Sequence, residues 1–334
     1  MLQIKKNIDL HPHNTFGITA TADTYVESDN VSELRDFMNT PAVTSDRLIL
    51  GGGSNILFVS DRCEMVIRPF FRGIEIIEEG NDHMLAKAYA GEVWDDFVAW
   101  CVQHHFSGVE NLSGIPGNVG ACPIQNIGAY GTEAKEIIEE VETIEISTGK
   151  IVRFDNHQCQ FGYRDSFFKQ NKGKYLITSV LFRLSKVFIP NLKYAGLRTA
   201  FSNHNEITLE NTRKTVIGIR DQKIPDPKEL GNAGSFFKNP TISSETAEPL
   251  KQEYEIPLYP VSDEWYKTSA AWLIEQCGWK GKQKGNVGTY QLQPLILVNY
   301  GKATGMEILE FANEIIESVY QRFGIRLEPE VNIV

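Results

Sequence analysis

The amino-acid sequence predicts an α+β protein, and three observations support that class. Segments with the β-branched and apolar character of strands dominate roughly the first 200 residues. After Pro225-Asp226-Pro227 the pattern changes to a glycine-rich turn, a proline-spaced segment, a helix and a strand. A long amphipathic helix then precedes the C-terminus. The change of pattern places a domain boundary near Lys223.

The individual elements follow from local residue patterns. Helical spacing of apolar residues predicts helices over 31–38 and 93–103. Short apolar or alternating runs predict strands over 48–50, 56–59, 65–69, 73–78, 84–90, 141–147, 151–154 and 175–184. Beyond the boundary we expect a helix near 269–276 and a strand over 294–298.

The last helix has the clearest sequence signals. Thr304 and Glu307 form a capping-box pattern at its start, and Gly324 is typical of its end. One face carries an apolar stripe made of Ile308, Leu309, Ala312, Ile315, Ile316, Val319 and Tyr320. The final segment, 326–334, is expected to return as a strand to the earlier sheet.

Composition limits the classes of partner. With 334 residues, 42% of them hydrophobic, the chain is long enough for two or three domains. A formal net charge of -10 argues against nucleic acid, which is bound by basic surfaces. No apolar run approaches the ~18 residues of a membrane span, and the N-terminus lacks a secretory pattern. We therefore expect a cytoplasmic protein, without membrane insertion, that acts as a monomer.

The cysteines give no sign of a metal site or a disulfide framework. The five cysteines are widely spaced and form no C-x-x-C pair. We expect reduced thiols and no bound metal.

One segment stands out for its glycine content. Residues 111–131, NLSGIPGNVGACPIQNIGAYG, contain five glycines and two prolines and almost no charge. Glycine permits positive φ and lets backbone N–H groups approach a ligand without an intervening Cβ. Such a run predicts a cradle for a phosphorylated, partly planar ligand. The alternative is a tight loop between elements.

A second glycine run narrows the choice of cofactor. Gly51-Gly52-Gly53-Ser54-Asn55 joins two predicted strands. A dinucleotide fingerprint requires G-x-G-x-x-G opening a helix, and a phosphate-binding loop requires Lys-Ser or Lys-Thr after its last glycine. Neither pattern is present. The glycine turn lies instead between two strands, which indicates a pyrophosphate held by loops of an α+β domain.

Ordered motifs along the whole chain resemble a known family, UDP-N-acetylenolpyruvoylglucosamine reductase. The matching blocks are 14–17 (NTFG), 48–55 (LILGGGSN), 115–117 (IPG), 125–131 (QNIGAYG), 162–166 (GYRDS), 231–240 (GNAGSFFKNP) and 327–331 (LEPEV). Each is weak alone, but together and in order they are specific. A further segment, 191–197 (NLKYAGL), is similar to the subclass that has a tyrosine loop.

The resemblance implies a fold and its division. It implies a two-subdomain FAD-binding fold of the vanillyl-alcohol-oxidase-like type, with a separate α+β substrate-binding domain. We expect the first subdomain over 1–70 with a C-terminal return of 323–334, the second over 71–222, and the substrate-binding domain over 223–322.

The resemblance also implies a reaction. FAD is bound without a covalent link and is reduced by NADPH. The reduced FAD then delivers hydride to the enolpyruvyl ether of UDP-N-acetylglucosamine. The product is UDP-N-acetylmuramate, a peptidoglycan precursor. Hydride addition leaves an enolate next to a carboxylate, so the site must supply a proton and stabilise negative charge.

Three residues match the family's catalytic positions. Arg164 suits the substrate carboxylate because a guanidinium donates two parallel hydrogen bonds, although an ion pair with Asp165 or a helix-capping contact is the structural alternative. Ser235 matches the proton donor, and its alternative is a turn serine. Glu330 matches the acid that hydrogen-bonds to the developing charge. Glu328, two residues earlier on the same predicted strand face, cannot be separated from it by sequence.

Binding contacts are carried over position by position. The expected cofactor contacts are Gly51, Gly53, Ser54, Asn55, Ile115, Pro116, Gly117, Gly120, Gln125, Asn126, Gly128, Ala129 and Tyr130. The expected substrate contacts are Tyr163, Tyr194, Lys223, Asn239 and Gln293. Without the resemblance, an exposed loop aromatic is an equal interpretation of Tyr194, and a polar edge residue is an equal interpretation of Gln293.

Two other functions stay open at this point. A flavin oxidase of the same broad fold would pass electrons to oxygen and would not require Arg164, Ser235 and Glu330 together. A binding protein that keeps FAD or a nucleotide sugar without turnover is expected to have lost at least one of them. All three are present.

Overall fold

The computed structural model describes residues 1–44, 46–202 and 206–334. The strands in these ranges are β1 Gln3–Asp9, β2 Thr21–Ser28, β3 Arg47–Ile49, β4 Ile56–Leu57, β5 Arg62–Pro69, β6 Ile74–Glu79, β7 His83–Tyr89, β8 Gly128–Ala129, β9 Thr132–Glu133, β10 Ile138–Glu145, β11 Lys150–Asp155, β12 Tyr175–Ser185, β13 Gly231–Ser235, β14 Thr241–Ser243, β15 Leu258–Pro260, β16 Trp265–Thr268, β17 Gln283–Lys284, β18 Val287–Thr289, β19 Ile296–Asn299 and β20 Asn332–Ile333. The α-helices are α1 Val31–Met38, α2 Trp94–Gln103, α3 Phe167–Gln170, α4 Ala195–Phe201, α5 Leu209–Asp221, α6 Ser244–Glu253, α7 Ala270–Gln276 and α8 Gly305–Phe323.

The chain forms two compact units, each assembled from separate segments. The first unit contains Met1–Ile8, Thr21–Gly53 and Arg62–Arg220. The second contains Asp9–Ala20, Ser54–Asp61 and Asp221–Val334. The division into two FAD-binding subdomains and a substrate-binding domain stays a prediction.

The first unit contains two sheets. In the four-stranded sheet, ordered β1-β2-β5-β3, strands β2 and β3 run parallel to β5. The five-stranded sheet, ordered β11-β10-β12-β7-β6, is antiparallel. Helix α2 packs on the central strand β12 through Phe97 and Phe182, whose ring centroids lie 4.6 Å apart. Trp94 completes this aromatic cluster at 5.7 Å from Phe97 and 5.9 Å from Phe182. Buried rings of this kind contribute most of the apolar area of a core.

The second unit contains a four-stranded and a three-stranded antiparallel sheet and helix α8, the longest helix in the described ranges. Its sheets have the orders β13-β19-β18-β17 and β14-β16-β15, and β20 pairs in parallel with β4. Helix α8 begins at the predicted capping box of Thr304 and Glu307 and ends at Gly324, which has φ 68°. Its buried face includes Ile308, Ala312, Ile315 and Val319, together with Phe311 and Phe323.

The sequence predictions of the fold are largely confirmed. The α+β class is correct, and helix α1 has the predicted bounds. Two details were wrong. Tyr320, which the stripe assigns to the apolar face of α8, is 45% exposed. The predicted strand over 326–334 is reduced to β20, which pairs with β4, and to an isolated bridge between Pro329 and Phe237.

The described ranges contain no helix with both the length and the apolar character needed to cross a membrane.

Candidate active site

The two glycine segments singled out in the sequence lie against each other in the first unit. A Cβ built on Gly52 would lie 3.0 Å from the Cα of Gly117 and 3.0 Å from Oδ1 of Asn118. Gly117 itself has φ 119°, a conformation that side chains rarely adopt. The two segments can therefore pack this closely because Gly52 and Gly117 lack side chains, and we call the packed pair the cradle, since glycine turns of this kind can offer backbone N–H groups to an anion.

Neighbouring elements hold the cradle in place. The N–H of Gly120 donates to the carbonyl of Ala90 at 2.9 Å, and a Cβ on Gly120 would lie 2.6 Å from the Cβ of Ala90. The N–H of Trp94, at the start of α2, donates to the carbonyl of Gly117 at 3.0 Å. Asn118 donates from Nδ2 to the carbonyl of Gly91 at 2.8 Å. These partners lie in the turn that follows β7 and at the start of α2, so both elements hold the cradle in place.

A half-buried carboxylate outside the predicted site residues, Asp95, also supports the cradle. Asp95 accepts a hydrogen bond from the N–H of Gly114 at 2.6 Å and two from the guanidinium of Arg213 on α5, at 2.6 and 2.8 Å. Burial alone would raise the pKa of Asp95, but the hydrogen bonds from Arg213 and Gly114 outweigh it and lower that pKa. The sequence signal for Asp95 is its place as an acidic residue in the first turn of the helix predicted over 93–103.

Several predicted cofactor residues use their side chains inside the protein. Asn126 is fully buried; its Nδ2 donates to the carbonyl of Gly162 at 2.9 Å, and its Oδ1 accepts from the N–H of Lys135 at 2.9 Å. Ile115 and Ala129 pack against the apolar core of the first unit. Asn126 therefore has no surface for a cofactor to contact, whereas Ile115 and Ala129 are half-buried.

Arg164 is held in a strained conformation on the loop before α3. Its φ is 54°, in the left-handed region that non-glycine residues seldom occupy. Its Nη2 donates to the carbonyl of Gly128 at 2.6 Å, and its guanidinium carbon lies 5.4 Å from the ring centroid of Tyr163. A Cβ on Gly128 would lie 3.0 Å from Nη1 of Arg164. Gly128 therefore provides the space for the guanidinium as well as the acceptor that orients it.

Two of the predicted aromatic contacts of the first unit, Tyr130 and Tyr194, lie against each other. The rings of Tyr130 and Tyr194 lie edge to face, with centroids 5.0 Å apart and an interplanar angle of 87°. Tyr194 immediately precedes α4, whose Leu197 and Phe201 form a small apolar cluster with Val216 of α5. This cluster is separate from the main core of the first unit.

In the second unit, a β-bulge sets the position of Ser235. The pairing of β13 with β19 shifts register between Asn232 and Ser235, and Gly234 has φ 68°. Asn232 is 2% exposed; its Oδ1 accepts from the N–H of Gly234 at 2.9 Å and its Nδ2 donates to the carbonyl of Pro225 at 3.0 Å. Bulges re-aim the side chains that follow them. Asn232, which was not among the predicted site residues, thus fixes the turn that presents Ser235.

The backbone brings Glu330 close to the segment of Ser235. The N–H of Glu330 donates to the carbonyl of Phe236 at 2.7 Å, and the N–H of Lys238 donates to the carbonyl of Glu328 at 2.9 Å. The two glutamates differ in environment. The side chain of Glu328 is 73% exposed and pairs with Nζ of Lys238 at 3.1 Å, whereas Glu330 is half-buried.

The remaining predicted residues of the second unit have different environments. Asn239 accepts the N–H of Ala270 at 3.0 Å and so caps α7 together with Ser269. Gln293 has a buried Oε1 that accepts no hydrogen bond within the described ranges. Asn55 donates from Nδ2 to the carbonyl of Glu330 at 3.4 Å. Lys223 is exposed.

Family models match both parts of the chain. The model described as FAD binding domain matches residues 22–155, and the model described as UDP-N-acetylenolpyruvoylglucosamine reductase, C-terminal domain, matches residues 226–334. The first match covers both glycine segments of the cradle. The predicted cofactor, FAD, is thereby confirmed.

Full-length relatives carry the same description. The chain is 43% identical to UDP-N-acetylenolpyruvoylglucosamine reductase of Flavobacterium johnsoniae over 338 residues, covering 100% of both chains. It is 45% identical to the reductase of Xylella fastidiosa (strain M12), with 98% of this chain and 95% of the relative covered.

A solved structure has the same fold. The crystal structure of UDP-N-acetylenolpyruvylglucosamine reductase from Thermus caldophilus matches with a TM-score of 0.70 and 22% identity, covering 100% of this chain and 99% of that one. The fold, the family models and the full-length identities agree, and the chain belongs to the UDP-N-acetylenolpyruvoylglucosamine reductase family.

Proposed function

We propose that this protein reduces the enolpyruvyl ether of UDP-N-acetylglucosamine to UDP-N-acetylmuramate for peptidoglycan synthesis, with FAD as cofactor and NADPH as hydride donor. The observation that carries the proposal is the identity of 43% over the entire chain to a reductase of this name. We infer further that it works as a cytoplasmic monomer on small-molecule substrates.

The cradle fits FAD. Gly53 and Gly117 have φ of 66° and 119°, and a Cβ on Gly52 would meet the Cα of Gly117, so glycine lets the two segments pack closely; backbone of this kind can approach a pyrophosphate. Ser54, Asn55, Pro116, Gly120, Gln125 and Tyr130 are the further residues that we expect around the cofactor. When bound, FAD supplies the hydride that reaches the terminal vinyl carbon of the substrate.

We assign binding of the substrate carboxylate to Arg164. Its guanidinium has a fixed hydrogen bond to Gly128 and a ring of Tyr163 beside it, which support a preset orientation. Strained backbone conformations such as the φ of 54° concentrate at functional sites. A guanidinium in a fixed orientation can hold the carboxylate while negative charge develops on the neighbouring carbon.

We assign proton donation to Ser235 and stabilisation of the developing negative charge to Glu330. The bulge around Gly234 presents the Ser235 hydroxyl, and the hydrogen bond between Glu330 and Phe236 keeps the two segments adjacent. Oγ of Ser235 delivers its proton to the carbon that carries the ether oxygen. The exposure of Glu328 and its pairing with Lys238 favour Glu330 as the acidic partner.

The substrate contacts are assigned to Tyr163, Tyr194, Lys223, Asn239 and Gln293. Asn239 uses its oxygen to cap α7, so its Nδ2 is the group available for the substrate.

Anaerobic stopped-flow absorbance tests the function and the role of Ser235. The protein is reduced with NADPH, the enolpyruvyl substrate is added, and flavin reoxidation is followed. We expect rapid reoxidation in the wild type and a loss of about 10²–10⁴-fold in Ser235→Ala, with reduction by NADPH intact. Ser243→Ala, which removes a hydroxyl that only caps α6, is the matched control. Reoxidation by air alone would support the oxidase instead.

A pair of glutamates provides a second control. Glu330→Gln should slow reoxidation strongly, whereas Glu328→Gln should change it less than about twofold, because an exposed ion pair contributes about 0–1 kcal/mol. Equal effects of the two substitutions would contradict the assignment of Glu330.

A further inference from the structure

A buried amide connects the glycine-rich segment to the backbone before Tyr194. Asn111 is 1% exposed, and its Nδ2 donates to the carbonyls of Tyr130 and Asn191, both at 2.9 Å. Its Oδ1 is buried and accepts no hydrogen bond from the part of the chain that the structure describes. The side chain is therefore oriented by its two donated bonds.

A second amide makes the reciprocal connection. Asn191 donates from Nδ2 to the carbonyl of Gly131 at 2.9 Å and to Oγ1 of Thr132 at 3.0 Å. Its Oδ1 accepts the N–H of Lys193 at 3.1 Å. Four hydrogen bonds from two asparagines thus fix the chain three residues before Tyr194 onto the loop that contains Tyr130.

The position of the Tyr194 ring depends on the absence of a side chain at Gly196. A Cβ built on Gly196 would lie 2.6 Å from Cε1 of Tyr194, well inside van der Waals contact. The φ of Gly196 is not positive, so its backbone accepts other residues. In a helix the usual preference is for Ala over Gly, because glycine loses more backbone freedom. Glycine at this position of α4 is therefore explained by space for the ring and not by helix formation.

We propose that Asn111, Asn191 and Gly196 are positioning residues that hold the Tyr194 side chain edge-on against Tyr130 and so set the affinity for the nucleotide substrate. This inference rests on the proposed function, in which Tyr194 contacts that substrate. The two asparagines fix the backbone, and Gly196 leaves the space into which the ring turns. The substrate then meets a ring that is already oriented, so less freedom is lost on binding.

Gly196→Ala separates this role from a structural one. The substitution should strengthen α4 while pushing the Tyr194 ring away from Tyr130. We expect KM for the enolpyruvyl substrate to rise about tenfold, equivalent to about 1.4 kcal/mol, with kcat changed less than about twofold. A residue that mattered only for folding would not combine unchanged or higher stability with a higher KM.

Asn191→Asp provides the second variant. The change keeps the shape and the acceptor for Lys193 but removes the donors to Gly131 and Thr132. The matched control is Asn156→Asp, which also removes an amide that donates to two carbonyls, those of Lys135 and Ile138, beside β11. We expect the higher KM in Asn191→Asp and an unchanged KM in Asn156→Asp.

Fluorine NMR makes the test independent of catalysis. Protein labelled with 3-fluorotyrosine has 12 tyrosine positions, and Tyr194→Phe identifies the resonance of Tyr194. The resonance should shift in Gly196→Ala and Asn191→Asp and stay in place in Asn156→Asp. An unshifted resonance in both variants, or a shifted resonance with unchanged KM, overturns the proposal. If the wild type does not reduce the substrate, the proposed function fails, and the resonance still shows whether the ring is positioned as inferred.

Discussion

Replacing Gly128 with Ala should displace the Arg164 guanidinium without removing any functional group. The new methyl carbon would lie 3.0 Å from Nη1 of Arg164, 3.0 Å from Cγ of Glu133 and 3.1 Å from the carbonyl oxygen of Thr132. The carbonyl belongs to the paired backbone of β9, so the two side chains must move. The hydrogen bond of 2.6 Å from Nη2 to the Gly128 carbonyl then lengthens or breaks.

The expected loss follows from that bond. A hydrogen bond to a charged group contributes about 1.5–3 kcal/mol, which corresponds to about 10- to 100-fold in kcat/KM if its loss leaves the carboxylate unheld in the transition state. The assay measures kcat/KM for the enolpyruvyl substrate in protein whose FAD content has been matched by absorbance. Gly218→Ala on α5 is the control, because a Cβ there has no neighbour within 4 Å. A Gly128→Ala enzyme within twofold of wild type at full FAD content would refute the positioning of Arg164 by Gly128.

Three other predictions concern stability and reactivity. The pKa of Asp95 is lowered in the folded state, so its carboxylate stabilises the fold above the unfolded pKa of about 3.9 and loses this contribution as pH falls. In urea unfolding, the difference in free energy of unfolding between wild type and Asp95→Asn should therefore shrink towards acid pH. Burial raises the pKa of the Cys159 thiol to about 12, so Cys159 should not react with a thiol reagent in the native protein. At most the partly exposed Cys63 and Cys277 should be modified. Modification of Cys159 without unfolding would contradict its burial. Gly324→Ala should lower the free energy of unfolding by about 1–2 kcal/mol, because φ at this position is 68°; an unchanged urea midpoint would contradict the αL cap.

Local signals made the fold predictable where they were strong. Helix α8 carries a capping box, an apolar stripe and a terminal glycine, and each of these signals depends only on residues close to it in sequence. Helix α6 was missed because Pro249 stands inside it, and proline normally argues against a helix interior. Helix α5 was missed because its polar sequence has few apolar residues, and its packing on α4 through Val216 is a tertiary effect.

The site was predictable in residue identity more than in geometry. The glycine segments were recognised from composition, but their contact through Gly52 and Gly117 joins residues far apart in sequence. Likewise, the buried amide of Asn126 reaches Gly162, 36 residues away, so neither residue reveals the bond by itself. The bulge that presents Ser235 depends on the partner strand β19, which no local pattern identifies.

The most direct test of the central claim is the mass spectrum of the product formed by the wild type in D₂O with unlabelled NADPH. The proposed reaction predicts UDP-N-acetylmuramate with a non-exchangeable deuterium on the carbon that carries the ether oxygen, because the proton delivered there comes from a hydroxyl that exchanges with solvent. Recovery of unreduced substrate, with electrons passed only to oxygen, would contradict it.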